Sequence, residues 1–401
     1  MITKPAVGAQ TLILVSGTAL SQVITAVLFI VTARISGVAD FGQVAASVAI
    51  GMVGAGLMDF GFNSLFTRDL ASKRVTLDHY WARAKSKLAI GFLLASIWFV
   101  LVLPLSFVFC LASSVFFSVL ALQTLLVPLR AQSRIPLVAI LFLSERISAA
   151  LVFLILIFMG QIPSISLIIS LVTGTCISSL IAWTFLNKIL ETPRARRHKG
   201  SPWGGSRNYG ISSLANSLQQ LDLPLLAILG GPVAAGIYGS ISKWTQPLGL
   251  IANSFATAST PVIAKVSTTK QAIREVGKSA WLIVIGLFIV ALMIPLSPYL
   301  VNILLGSGYR DAVPVFQIVA IGTIPGILNQ ILASGLQARG YDKQVALIGI
   351  TSVIIQLGLV AIFSKFGGAL SVAAAFCVLQ VTSFASLSIL LYRKLKSEDL
   401  A

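Results

Sequence analysis

KILETPRARRHKGSPWGGSR, residues Lys188–Arg207, is the stretch that decides the fold. It carries six Lys/Arg against the single acidic residue Glu191, and its prolines and glycines break regular structure. The chain on either side is apolar for long runs. About six apolar segments precede the stretch and about six follow it, each about 20 residues, the length a helix needs to cross the bilayer core. The expected spans are 11–33, 41–62, 88–106, 110–129, 137–159, 164–186, 209–230, 237–262, 280–302, 313–336, 344–364 and 369–391. The expectation is an all-α polytopic membrane protein of about twelve transmembrane helices in two six-helix halves. The boundaries follow the linker: 1–190 for the first bundle, 191–208 for the basic cytoplasmic linker and 209–401 for the second bundle.

Charge sorting supports this topology. With a cytoplasmic N-terminus, 24 of the 29 Lys/Arg fall in cytoplasmic loops or tails. Arg34, Arg310 and Lys365 lie at or beyond outer ends of spans, and Arg146 and Lys243 lie within spans. The outer connections, such as Ser36 to Asp40 and Gly160 to Pro163, are too short to fold into an external domain. The inner segment Arg68 to Lys87 carries six Lys/Arg, of which Lys73, Arg74, Arg83, Lys85 and Lys87 read as topology determinants.

Composition excludes several classes of function. Apolar residues make up 57% of the chain and charged residues 10%, with a mean hydropathy of +0.95. Soluble domains carry about 25% charged residues. The net charge of +17 follows membrane topology rather than one basic face, so no nucleic-acid partner is expected. Cys110, Cys176 and Cys377 have no CxxC partner, and His79 and His198 stand alone in basic loops, so no metal site is expected. No GxxxxGK[ST], HExxH or GxSxG is present, and Gly54-Ala-Gly56 reads as close helix packing. Neither an enzyme nor a cofactor is expected.

Polar groups inside the spans are the candidate site. An ionisable group at bilayer depth costs about 2.5–3.5 kcal/mol on insertion scales, so it faces a cavity or a partner. Glu145 and Arg146 are adjacent in the fifth span. Arg146 reads either as an anion contact or as part of a structural ion pair. The seventh span carries Asn208, Ser212, Asn216 and Gln219 on one helical face, with Asp222 one turn on and Pro224 positioned to bend the helix. The eighth carries Ser240, Lys243, Gln246 and Asn253. These stripes read as one wall of an aqueous cavity or as interhelical hydrogen bonds. Arg34 closes the first span, and Asp59 lies near the inner end of the second.

Three motifs carry a resemblance. TARISGVADFGQ from Thr32, followed by DFGFNSLFTRDLA from Asp59, resembles the N-terminal signature of the polysaccharide-biosynthesis flippases of the multidrug/oligosaccharidyl-lipid/polysaccharide (MOP) exporter superfamily. Arg34, Gly37, Phe41 and Gly42 stand at the family's places, with Ser36 where Leu is common. QQLDLPLLAILGGPVAAGIYGSISKW, with Asp222, Gly236 and Tyr238, and LLGSGYRDAVPVFQI, with Gly306 and Tyr309, look like the family as well.

The resemblance implies a MATE-like fold, two six-helix bundles around a central cavity, and a flippase moving polyprenyl-diphosphate-linked oligosaccharide from the cytoplasmic to the outer leaflet by alternating access. The implied setting is the bacterial inner membrane, with both termini cytoplasmic. Arginine binds phosphate oxygens bidentately, which makes Arg34, Arg146 and Lys243 the candidate diphosphate contacts, with Asn216, Gln219 and Gln246 as polar lining. Glu145, Asp222 and Asp59 are the candidate ion-coupling carboxylates, since an ion gradient or the membrane potential is the expected energy source. The expected partners are the lipid-linked oligosaccharide, the bilayer and a polysaccharide polymerase. The alternative within the superfamily is a drug or cation antiporter, for which carboxylates should dominate the intramembrane charge.

Overall fold

The computed structural model describes residues 7–189, 201–245 and 281–399, with Gln271, Arg274 and Gly277 between the last two stretches; side chains are described from Ser16 onward, apart from a few such as those of Arg207, Asn208 and Asn216. Regular structure among the described residues is helical. The order is α1 (Val7–Ser36), α2 (Val38–Asp59), α3 (Phe62–Ala71), α4 (Leu77–Val102), α5 (Phe107–Cys110), α6 (Ala112–Ala131), α7 (Ile135–Phe158), α8 (Pro163–Ile189), α9 (Arg207–Gln219), α10 (Asp222–Leu229), α11 (Gly231–Thr245), α12 (Trp281–Leu305), a 3-10 turn at Ser307–Tyr309, α13 (Ala312–Ala338) and α14 (Asp342–Asp399).

Nine stretches among the described residues are long and apolar enough to cross a membrane. The ninth, Asp342–Lys396, is 55 residues long, enough for two crossings. Its helix is interrupted at Gly368, whose φ of 52° and ψ of −134° are not helical, between the spans expected at 344–364 and 369–391. The protein is therefore a multi-pass membrane protein. Its exposed surface is accordingly apolar, as in Phe92, Val100, Leu105, Phe158 and Phe288, because lipid rather than water is the outer solvent.

The helices depart from the expected spans in three places. First, α4 begins at Leu77 rather than near residue 88, capped by Thr76, whose Oγ1 accepts from the His79 backbone N–H. Arg83, Lys85 and Lys87 are therefore helical residues. Second, the short amphipathic helix α3 occupies part of the basic loop. Third, the seventh span is broken: α9 ends at Gln219 and α10 starts at Asp222. The break precedes Pro224, which falls in the first turn of α10, where its missing N–H breaks no intrahelical bond. The later part of the expected eighth span lies outside the described residues.

Contacts divide the chain into two compact units. The first runs to Ser36 and continues from Gln43 to Pro224; the second contains Gly37–Gly42 and the chain from Leu225. In the first unit α7 packs on α8 and α1, and α6 packs on α8, α4 and α3. Its largest core cluster gathers Phe62, Phe66, Tyr80, Trp81, Leu126 and Leu141. The polar stretch after the linker joins this unit too, with α9 packed on α3.

In the second unit α13 packs on α14 and α12, and α11 packs on α13 and α14. One core cluster is built on Ile283, Val290, Ala320 and Ile327, another on Leu336, Val345 and Leu387. The first turn of α2 docks on the start of α11 through reciprocal glycines. A Cβ at Gly42 would lie 1.9 Å from the Pro232 carbonyl oxygen, and one at Gly236 would lie 1.9 Å from that of Val38. Only glycine lets these backbones meet, as small residues do wherever membrane helices approach closely. The contact joins the first two resemblance motifs, which are far apart in sequence.

Candidate functional site

The most developed polar cluster lies in the first unit, where α2 hands over to α3. Asp59 ends α2 and Asn63 begins the second residue of α3. Between them the chain reverses through Phe60 and Gly61, both with positive φ (40° and 72°). This turn aims the Asp59 carboxylate and the Asn63 amide at α4. Lys87 reaches them with a fully buried side chain: its Nζ donates to Asp59 Oδ1 at 2.6 Å and to Asn63 Oδ1 at 3.2 Å. The ammonium also stands 4.3 Å from the Phe62 ring centroid, which adds cation–π attraction. Asp59 retains 17% side-chain exposure, so the pair is dry on the lysine side and edged by solvent on the carboxylate side.

Neighbouring groups extend the cluster. The buried Tyr80 hydroxyl donates to the Thr124 carbonyl. Arg130, in the last turn of α6, donates to Gln123 Oε1 at 3.0 Å and faces the Phe142 ring. At the end of α3, Arg68 donates to Asp69 Oδ1 at 2.8 Å and to the Tyr209 hydroxyl at 2.7 Å. Its hydrogen bond with Asp69 raises the guanidinium above its ordinary pKa.

A second buried charge sits between α7 and α8. Glu145 is buried, forms an ion pair with Arg146 Nη2 at 3.1 Å and accepts from Thr175 Oγ1 at 3.0 Å. Gly174 allows the approach, since a Cβ there would lie 2.4 Å from the Glu145 carbonyl. Ser178 completes the seam by donating to the Leu141 carbonyl at 2.9 Å. Of the two roles open to Arg146, this geometry favours the structural ion pair. The pair forms between sequence neighbours because long side chains bridge the angle that separates their Cα–Cβ directions.

The other candidates are distributed as follows. Arg34 is exposed in the last turn of α1. Gln219 is half-buried at the end of α9, and the Asn216 side chain is outside the described residues. Asp222 opens α10, and its Oδ1 accepts from the Leu223 backbone N–H at 2.7 Å. Lys243 is half-buried in the last turn of α11, in the second unit, and Gln246 lies outside the described residues. Within the first unit, Asp59 and Glu145 belong to two separate clusters, each with its own basic partner.

Two functional-looking residues escaped the sequence reading. Lys87 and Arg83, taken as topology determinants, are both engaged: Lys87 in the buried pair, and Arg83 on three backbone carbonyls of residues 201–204. Their spacing of four on α4 puts them on one face, a signal that a helix starting at Leu77 would have revealed. The second unit also has polar contacts across helices: Asn329 of α13 donates to Gln380 Oε1 at 3.0 Å and to its backbone oxygen at 2.8 Å, and Gln317 of α13 donates to Ser297 Oγ of α12 at 3.0 Å. Among the described residues no cluster of His, Cys, Asp and Glu could hold a metal.

Long apolar helices in two units, with buried charge pairs, define a multi-pass helical membrane protein. Similar solved structures share that fold. They include an inward-facing multidrug resistance MATE family transporter (14% identity, 99% of this chain and 96% of that one, TM-score 0.67). The lipid II flippase MurJ, inward closed, is also similar (12%, 95% and 87%, TM-score 0.76). So is a MOP superfamily transporter from Pyrococcus furiosus (13%, 96% and 93%, TM-score 0.57). Comparison with curated protein sequences gives no match. The family described as polysaccharide biosynthesis protein matches residues 7–267, and the MatE family matches residues 210–362. The chain belongs to the polysaccharide biosynthesis protein family.

Proposed function

We propose that this protein is a flippase carrying polyprenyl-diphosphate-linked oligosaccharide from the cytoplasmic to the outer leaflet by alternating access. The observation that carries the proposal is the match to the polysaccharide biosynthesis family across residues 7–267, which takes in the first unit and the start of the second. Arg34, Arg146 and Lys243 are the proposed cationic contacts for the diphosphate; Arg146 also pairs with Glu145. Asn216, Gln219 and Gln246 are the proposed sugar-facing groups. Asp59, Glu145 and Asp222 are the proposed coupling carboxylates. Each of the first two has a basic partner, so protonation would release a cation as well as neutralise an anion. The proposed setting is the inner membrane with both termini cytoplasmic, where a polysaccharide polymerase would receive the flipped lipid.

The test is deletion of the gene in its host, with mass spectrometry of the lipid extract and measurement of surface polysaccharide. Accumulated polyprenyl-diphosphate oligosaccharide with lost surface polymer, restored by the wild-type gene and not by an Arg34→Ala/Lys243→Ala variant that still inserts, supports the reading. Unchanged lipid intermediates together with new drug sensitivity would replace it with the drug-antiporter reading.

A further inference from the structure

The chain leaving the basic linker does not hang free. Residues 201–206 fold into a tight turn: the Gly204 backbone N–H donates to the Ser201 carbonyl at 3.2 Å, and that of Ser206 donates to the Trp203 carbonyl at 3.0 Å. The turn presents its carbonyls to α4. Arg83 collects them, with Nε donating to Pro202 at 3.1 Å and Nη2 donating to Gly204 at 2.6 Å and Ser201 at 3.2 Å. Its guanidinium also lies 5.1 Å from the Phe66 ring centroid. A planar cation with several fixed donors suits three converging carbonyls, whereas a lysine ammonium offers a single point.

The turn has a second fastening. The Trp203 indole Nε1 donates to the Met58 carbonyl at 2.9 Å, satisfying an oxygen in the last turn of α2 that has no helical partner. The ring packs against the cluster of Ala55, Met58 and Leu120 and also against the cluster around Phe62 and Tyr80. Just beyond, Tyr209 is held by Arg68, whose guanidinium lies 5.2 Å from the phenol ring centroid. Both anchor points adjoin the buried ion pair. Met58 precedes Asp59 in the chain, and Arg83 lies one turn before Lys87 on α4.

We propose that the turn at residues 201–206 is a clasp on the first unit, fastened by Arg83 and Trp203, that keeps water from the lysine side of the Asp59–Lys87 pair. While the clasp is shut, α9 is carried by the first unit and the lysine stays dry. When it opens, the α2–α3 junction becomes accessible to solvent. The inference concerns access to a charge pair inside one unit and does not depend on the substrate.

Hydrogen exchange with mass spectrometry on the full chain in nanodiscs tests it. In the wild type, peptides covering 201–210 and 60–66 should both be protected. Arg83→Ala should accelerate exchange in both by about tenfold or more, and Arg83→Lys should restore protection only in part. Trp203→Phe keeps the ring and removes only the N–H, so it supplies the same readout if Arg83→Ala fails to fold. Rapid exchange of 201–210 in the wild type would overturn the clasp. Faster exchange of 201–210 with unchanged protection at 60–66 in the variants would overturn the seal.

Discussion

Asp59→Asn should cost more than Lys87→Met, although both break the same ion pair. At 2.6 Å the gross attraction is about 6 kcal/mol with an effective dielectric of about 20. Desolvation offsets much of that, and loss of one partner from a buried pair typically costs about 3–5 kcal/mol. The two variants divide by exposure. Asp59→Asn strands the ammonium at 0% exposure, held only by the Asn63 oxygen at 3.2 Å, the Phe62 face and the new amide oxygen. These keep the cost near the lower end, about 3 kcal/mol. Lys87→Met strands a carboxylate that is 17% exposed and can rehydrate, for about 1–2 kcal/mol.

The double variant Asp59→Asn/Lys87→Met strands no charge and should be about as stable as Lys87→Met alone. The resulting coupling energy is about 3 kcal/mol in magnitude, the whole cost of Asp59→Asn alone. Equilibrium unfolding in mixed micelles, followed by tryptophan fluorescence, measures all four corners of the cycle. An Asp59→Asn cost below about 1 kcal/mol, or strictly additive single effects, would refute the view of Lys87 as a dry, paired cation.

Two further outcomes follow from the packing. Gly236→Ala should destabilise the protein by at least about 1–3 kcal/mol, because its Cβ meets the Val38 carbonyl at 1.9 Å and neither backbone is a flexible side-chain end. Gly349→Ala, with open space around the new Cβ in a helix interior, should stabilise by up to about 1 kcal/mol; thermal unfolding of the two variants side by side checks the contrast. Thr175→Val should cost about 0.5–1.5 kcal/mol through loss of the bond to Glu145. A tenfold loss of flipping at unchanged thermal stability would support Glu145 as a coupling carboxylate, and unchanged flipping would argue for a structural role.

The candidate site was legible only as an inventory of residues. Asp59, Glu145 and Arg146 stand out because a charge in an apolar run is costly wherever it lies. Their partners were hidden. Lys87 and Arg83 read as loop charges because hydropathy alone starts the third span near residue 88, whereas the Thr76 cap starts α4 at Leu77. The seventh span was read as one helix bent at Pro224; the chain breaks before Asp222 instead, and Pro224 is accommodated in the first turn of α10.

By itself the sequence determined the class: a helical, multi-pass membrane protein, with a charge pattern that marks its loops and motifs that mark its family. That information is local, since each segment's hydropathy fixes its transfer into lipid one helix at a time. Only the tertiary structure decided which polar groups meet. It pairs Asp59 with Lys87, ties Arg83 to the turn at 201–206, and sets Gly42 against Gly236. These contacts depend on helix rotation and on approach distances of tenths of an ångström. Side-chain packing sets both, and the order of apolar residues along one segment leaves them open.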